Sequence, residues 1–267
     1  DQGALAIALP TWLARVEDET LVLVLDGVNQ LPDDESDFIW FPDHIPPNVR
    51  LIVTSTEDLT AQSTRFENWR SLLLEPLTTA EREAMVVRYL GEYHKGLSPE
   101  LIQRVAQAPQ SAQPLYLRTF LEELRMFGDY ETLPRWIDST LSAQDTAELF
   151  QRVLERIEDD FGPRPVQHVL RLLWTSRDGL QRNEIGAMTM HSEMRLNVLL
   201  NALDYHLLER GGRFTFFHTY FRDAVERRYC RDTAVVRHTR EELVHYFGGR
   251  PADDRKAYEL PWQLQQL

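Results

Sequence analysis

A chain of 267 residues, 43% hydrophobic and 27% charged, is long enough for one large domain or two to three small ones, and this balance argues against disorder. The net charge of −13 argues against broad binding to nucleic acid or an anionic membrane, because phosphate groups attract basic surfaces. A single cysteine, Cys230, excludes an internal disulfide framework and a cysteine-rich zinc site and agrees with a reducing, cytoplasmic setting. No apolar run approaches the roughly 18 residues that span a bilayer. The N-terminus lacks the basic-then-apolar pattern of a signal peptide. It also lacks an initiator methionine and begins in a helix-like run, Ala4 to Leu9, so the chain is expected to be a fragment of a longer protein.

In chain order, residues 3–16 are predicted to be a helix with Trp12, Leu13 and Val16 on one face. The run Leu21-Val22-Leu23-Val24-Leu25 has the length and composition of a strand buried on both faces. Asp26 follows where that strand would leave the sheet, and in open α/β sheets ligands sit outside the carboxyl ends of the strands. An acid there suits a Mg²⁺ ion bridged to nucleotide phosphates, because Mg²⁺ takes hard oxygen ligands and few from the protein. It equally suits an ordinary turn aspartate ahead of Gly27.

Residues 32–37 read as a charged loop, and Trp40-Phe41-Pro42 through Pro46-Pro47 as a proline-punctuated connection. Residues 48–56 form a second short apolar strand ending in Thr54-Ser55-Thr56, residues 57–69 a helix, and residues 71–77 a third strand. Strands alternating with helices imply a parallel sheet with crossover helices.

Beyond residue 77 only helices are expected until a hairpin near residue 211. Thr78-Thr79-Ala80-Glu81 is a capping box opening a helix to about Tyr93, and Ser98-Pro99-Glu100 starts another. Pro114 precedes a helix with Leu117, Phe120, Leu121 and Leu124 at core spacing. Helices follow over residues 145–160 and 165–175, then over Arg182–Met188 and Ser192–Leu203. Gly211-Gly212 between two short apolar runs predicts a β-hairpin. Two helices followed by a hairpin make a winged helix-turn-helix, closed by a helix over residues 219–229. Residues 233–247 are helical, and Glu259-Leu260-Pro261-Trp262 opens a further segment.

The fold class is therefore α/β followed by all-α: residues 1–77 a partial α/β core, 78–160 a helical lid-like domain, 161–231 a winged-helix domain and 232–267 a helical linker. Four stretches resemble the STAND class of signalling P-loop NTPases, and most of all its NACHT-type, nephrocystin-like members. Leu21 to Leu31 resembles the Walker B segment, which implies that Asp26 holds Mg²⁺. Arg50 to Ser55 resembles the sensor-1 strand, which implies that Thr54 or Ser55 faces the γ-phosphate. Ala112-Gln113-Pro114-Leu115 resembles the Gly-x-Pro-Leu turn, which implies that Pro114 packs on adenine. Phe217-His218-Thr219 falls where the family has Met-His-Asp, which implies that His218 reaches the β-phosphate of ADP.

The chain departs from the family in three places. No Gly-x-x-x-x-Gly-Lys-Ser/Thr loop occurs in it, and that phosphate loop is expected upstream. Asn29-Gln30 replaces the Asp-Glu pair that follows the Walker B glycine. A carboxylate accepts a proton from attacking water, whereas an amide only orients it, so any ATPase activity is expected to be slow. Thr56 stands where an arginine often follows the sensor-1 serine.

Taken alone, Thr54-Ser55 is also a plain strand end, Pro114 a helix-start proline, His218 a core histidine and Asn29-Gln30 a turn. The resemblance implies an ATP/ADP-dependent signalling switch in a multidomain protein. Its partners would be the other domains and further proteins, with nucleotide-driven oligomerisation and no membrane. The rival readings are a non-catalytic interaction scaffold and a DNA-binding regulator. The second is disfavoured because the helix Ser192–Leu203 offers Arg195 and Asn197 and little other basic charge. Arg227, Arg228 and Arg231 are expected on a solvated helix face.

Overall fold

In the computed structural model, Gln2–Leu13 forms α1, and Leu21–Leu25 and Val49–Val53 form the parallel strands β1 and β2. The structure describes residues 2–16, 19–30, 38, 40–56, 58–59, 66–189 and 192–267, without the side chains of Gln2 and Gln30. The expected loop over 32–37 and most of the expected helix over 57–69 lie outside these residues. The chain forms two compact units, 1–74 and 75–267, each treated on its own below.

In the first unit, β1 and β2 pair from Leu21↔Val49 to Leu25↔Val53. One face of the pair rests on an aromatic core of Phe38, Trp40, Phe41 and Phe66, joined by Val28. The rings meet edge-on or tilted, Phe38 and Phe66 at 5.1 Å and Phe41 and Trp69 at 5.6 Å, within the range where aromatic pairs attract beyond simple burial. Leu25, Leu51 and Val53 reach this core. Strand side chains alternate, so Val22, Val24 and Ile52 point the other way and are half-exposed. This corrects the expectation of burial on both faces. Trp12, expected beside Leu13 on the packed face of α1, is likewise half-exposed, while Leu13 is buried.

The third strand expected at 71–77 does not form. Residues 71–78 carry no regular structure, and Leu72, Leu73 and Leu74 are about four-fifths exposed. A strand is held by a hydrogen-bonded ladder, and among the described residues these leucines have no neighbour strand.

The second unit opens with α2 (Thr79–Glu92), set by a complete capping box. The Thr78 hydroxyl accepts from Glu81 N–H at 3.3 Å, and Glu81 Oε2 accepts from Thr78 N–H at 2.8 Å. Helices α3 (Pro99–Gln107), α4 (Pro114–Met126) and α5 (Leu133–Leu141) follow. Then α6 (Thr146–Phe161) is capped by Asp145 and stopped at Gly162, whose φ is +83°. Val86, Leu90, Val105, Tyr116, Phe120 and Leu149 form one core.

A second core begins on the neighbouring face of α6, at Phe150, Val153, Leu154 and Ile157. Around it lie α7 (Pro163–Thr175), α8 (Arg182–Thr189) and α9 (Glu193–Ala202), then the strands β3 (Leu180–Gln181), β4 (Leu207–Arg210) and β5 (Arg213–Phe216). The sheet order is β3-β5-β4, antiparallel throughout. The β4–β5 hairpin turns on Gly211 and Gly212, at φ +58° and +74°, the left-handed pair that a two-residue turn of this hand requires.

Helices α10 (Thr219–Tyr229), α11 (Thr233–Gly248) and α12 (Asp254–Gln265) complete the unit, and Leu243 and Phe247 of α11 are fully buried. Glu259 to Trp262, expected to open a new segment, lie inside α12, with Pro261 within the helix. A buried ionic knot holds α12 in place. Glu184, with no exposed surface, accepts from Gln181 N–H at 2.8 Å and pairs with Arg255 at 3.1 Å and Arg250 at 3.4 Å. Glu259, equally buried, accepts from Arg177 N–H at 2.9 Å and pairs with Arg255 at 3.2 Å.

Candidate functional site

The parallel register places Leu25 against Val53, so Asp26 and Thr54 leave the sheet side by side. Thr54 N–H bonds Leu25 O at 3.0 Å and Val28 N–H bonds Thr54 O at 3.1 Å, carrying the ladder past the strands. The Thr54 hydroxyl donates to Asp26 Oδ1 at 2.5 Å and accepts from Gly27 N–H at 2.8 Å. Gly27 has φ +67°, a left-handed conformation that suits glycine and turns its N–H to Thr54. The Asn29 side chain accepts from Thr56 N–H at 3.2 Å, which ties the turn after β1 to the residues that follow β2. Ser55 is half-buried.

Asp26 is exposed, and Thr54 takes only one side of its carboxylate. A single carboxylate with a hydroxyl beside it fits Mg²⁺, which keeps several waters and takes one or two protein oxygens together with substrate phosphates. Among the described residues no three His, Cys, Asp or Glu side chains group into a cage that could hold a metal unaided.

In the second unit, Pro114 is the first residue of α4 and is exposed. One turn on, the Arg118 guanidinium lies 4.6 Å from the Tyr89 ring centre and 5.5 Å from that of Tyr205, cation–π distances. The Tyr205 ring is in turn 6.4 Å from that of His218. The start of α4 and His218 are thus linked through one arginine and one tyrosine.

His218 stands at the N-cap of α10 but makes no capping bond. Its Nε2 is buried with no hydrogen-bond partner among the described residues. Burial holds its pKa below the ordinary histidine value, which keeps the ring neutral at pH 7. A neutral imidazole still carries one N–H donor.

Asp26, Thr54, Ser55, Asn29 and Gln30 lie in the first unit, and Pro114 and His218 in the second. Within the first, the structure joins Asp26 to Thr54 and Asn29 to Thr56; the Gln30 side chain lies outside the described residues. Sequence reasoning passed over Arg118 and Tyr205, since an arginine on an amphipathic helix carries no signal of the rings it will meet.

Arg227 and Arg231 are exposed as expected, whereas Arg228 is half-buried and paired. It pairs with Glu158 at 2.6 Å and Glu155 at 3.3 Å, and the Tyr229 hydroxyl donates to the same Glu158 at 2.8 Å. These bonds hold the Glu158 pKa low against the burial that would raise it. On α9, Asn197 accepts from Arg182 at 2.5 Å, so one of the two residues offered for reading DNA is engaged within the protein.

No family model matches the chain, and no solved structure does. It is 30% identical over 255 residues to a TPR repeat-containing protein of Dictyostelium discoideum, across 91% of this chain and 15% of that one. It is 27% identical over 290 residues to Nephrocystin-3 of Mus musculus, across the whole of this chain and 21% of that one. It is 27% identical over 175 residues to NACHT domain- and WD repeat-containing protein 1 of Homo sapiens, across 62% of this chain and 11% of that one. The chain spans about a fifth or less of the length of these relatives. Among its described residues no helix is long and apolar enough to cross a membrane. The chain is thus a distant relative of nephrocystin-3 and of a NACHT domain- and WD repeat-containing protein.

Proposed function

We propose that this chain is part of a nucleotide-dependent signalling switch of the NACHT type, acting within a larger multidomain protein and hydrolysing ATP slowly or not at all. The observation that carries the reading is the Asp26–Thr54 hydrogen bond at the carboxyl ends of two adjacent parallel strands. Asp26, oriented by Thr54, would hold Mg²⁺, and that ion would neutralise phosphate charge. In the second unit, exposed Pro114 would pack against a base, and His218 would reach a phosphate in a state that uncovers its buried Nε2. ADP and ATP would have to contact His218 differently, because a ligand shifts a conformational equilibrium only by its differential affinity for the two states.

Slow turnover follows from Asn29. Its side-chain oxygen is engaged by Thr56 N–H, and an amide cannot accept a proton from water. The same bond favours a second reading, a scaffold that keeps the fold without turnover. It agrees with relatives whose names record TPR and WD repeats.

Substitutions in a protein that carries this module together with a phosphate loop test the switch. Asp26→Ala should weaken Mg²⁺-dependent ATP binding by about tenfold or more, while binding in EDTA stays as it was. His218→Ala should speed ADP release. Unchanged affinity and unchanged release would remove both residues from a nucleotide site and leave the scaffold reading.

A further inference from the structure

Between α4, α6 and the β4 side of the hairpin lies a groove of about 490 Å³, within the size range of specific binding sites. It belongs to the second unit and contains neither Pro114 nor His218. Four apolar side chains along it are open to solvent: Tyr93 (42% exposed), Met126 (59%), Leu208 (42%) and Phe217 (54%). They come from separate elements, so they form a composite patch rather than one helix face.

The polar lining is unbalanced. It holds four carboxylates, Glu122, Glu123, Asp204 and Glu209, against the two guanidiniums of Arg125 and Arg156. Both guanidiniums are already committed. Arg125 pairs with Glu122 at 3.0 Å, and Arg156 forks onto Glu123 and also pairs with Asp160 at 2.9 Å. Asp204 and Glu209 are exposed and have no ion pair among the described residues. His206, only 2% exposed, also lines the groove, stacked on Phe221 at 4.5 Å. Its Nδ1 has no hydrogen-bond partner among the described residues.

We propose that this groove docks a basic, apolar-anchored segment of a partner protein, with arginine or lysine side chains on Asp204 and Glu209 and apolar side chains against Met126, Leu208 and Phe217. Charge complementarity selects this occupant. An acidic segment would meet unpaired carboxylates, and a purely apolar one would leave them desolvated without a counter-charge. The buried pairs of Glu122 and Glu123 make a fixed floor, so the exposed acids supply the selectivity. The inference does not depend on nucleotide binding.

The test is fluorescence anisotropy of the chain with a short fluorescein-labelled peptide of arginine, leucine and phenylalanine, beside a second peptide with glutamate in place of arginine. Saturable binding of the basic peptide alone is expected. The double variant Asp204→Asn, Glu209→Gln should weaken it by about tenfold or more, and Phe217→Ser should weaken it separately. The net charge of −13 would attract any cation, so a control variant, Asp159→Asn with Glu226→Gln, removes two exposed charges that do not line the groove. Equal weakening in the control, an unchanged affinity in the double variant, or equal binding of the acidic peptide would each overturn the proposal. All the substitutions are of exposed side chains, and circular dichroism of each variant is to match that of the parent chain.

Discussion

The Thr54 hydroxyl donates to Asp26 Oδ1 at 2.5 Å while accepting from Gly27 N–H at 2.8 Å, so one side chain fixes both the carboxylate and the turn behind it. Neither strand makes this geometry alone. It follows from parallel pairing in the register Leu25↔Val53. Thr54→Val keeps the shape of the side chain and removes both bonds. In the longer protein it should lower Mg²⁺-dependent nucleotide affinity by about tenfold, as loss of a group that orients a metal ligand does. Thr54→Ser should restore most of it. Titration calorimetry with and without Mg²⁺ reads the difference.

Gly179 is the most crowded glycine of the second unit. Its φ is +74°, and a Cβ there would lie 2.3 Å from the Phe214 carbonyl oxygen of β5. Gly179→Ala should therefore destabilise that unit by about 2–4 kcal/mol, combining left-handed strain with a clash against backbone. Urea unfolding followed by tryptophan fluorescence measures it. At Gly211, where a Cβ meets nothing within 4 Å, alanine adds only the conformational strain and should cost about 1–2 kcal/mol.

Arg255 bridges two fully buried carboxylates, Glu184 and Glu259, and donates to Gly179 O at 2.6 Å. Arg255→Met would leave Glu259 without its ion pair and Glu184 with Arg250 alone, and should cost about 3–5 kcal/mol. Adding Glu184→Gln and Glu259→Gln removes the stranded charges and should recover a large part of the loss. The same denaturation experiment on the single and triple variants decides this.

His206 gives the second unit a pH dependence of definite sign. Burial, with the charges of Arg156 and His218 nearby, lowers its pKa to about 3 from the ordinary 6.5. Between those values the unfolded chain holds a proton that the folded chain refuses. The stabilising contribution is thus complete above the unfolded pKa and is lost as pH falls toward the folded one. His218, shifted the same way by burial, adds to it. From about pH 7 to about pH 5 the Tm should drop, and His206→Phe, which retains the stacking on Phe221, should make that drop smaller. An identical drop in the variant would assign the slope to other groups.

Local patterns in the sequence account for much of this. The runs Leu21–Leu25 and Val49–Val53 read as strands because they are short, apolar and β-branched, and each finds the other as its ladder partner. Thr78 to Glu81 caps α2, and Gly211-Gly212 turns the hairpin, because each of those conformations depends on the residues that adopt it. What failed depends on partners elsewhere in the chain. Leu72-Leu73-Leu74 has the composition of β1, but composition does not provide a neighbouring strand. Val22 and Val24 read as buried, yet among the described residues only the opposite face has its aromatic layer. Glu259 to Trp262 read as the opening of a further segment, whereas Glu259, anchored by Arg177 and Arg255, lies inside α12. In the site, Asp26 and Thr54 were legible because both end apolar strands. Arg118 was not, because its place is set by Tyr89 and Tyr205.

The most direct test of the switch is to purify a protein that carries this module together with a phosphate loop, without added nucleotide, denature it and identify what it releases. The account predicts about one ADP per chain, lost or reduced in Asp26→Ala and in His218→Ala. Release of no nucleotide, with no binding of added ATP or ADP in Mg²⁺, would contradict it and make the module a scaffold.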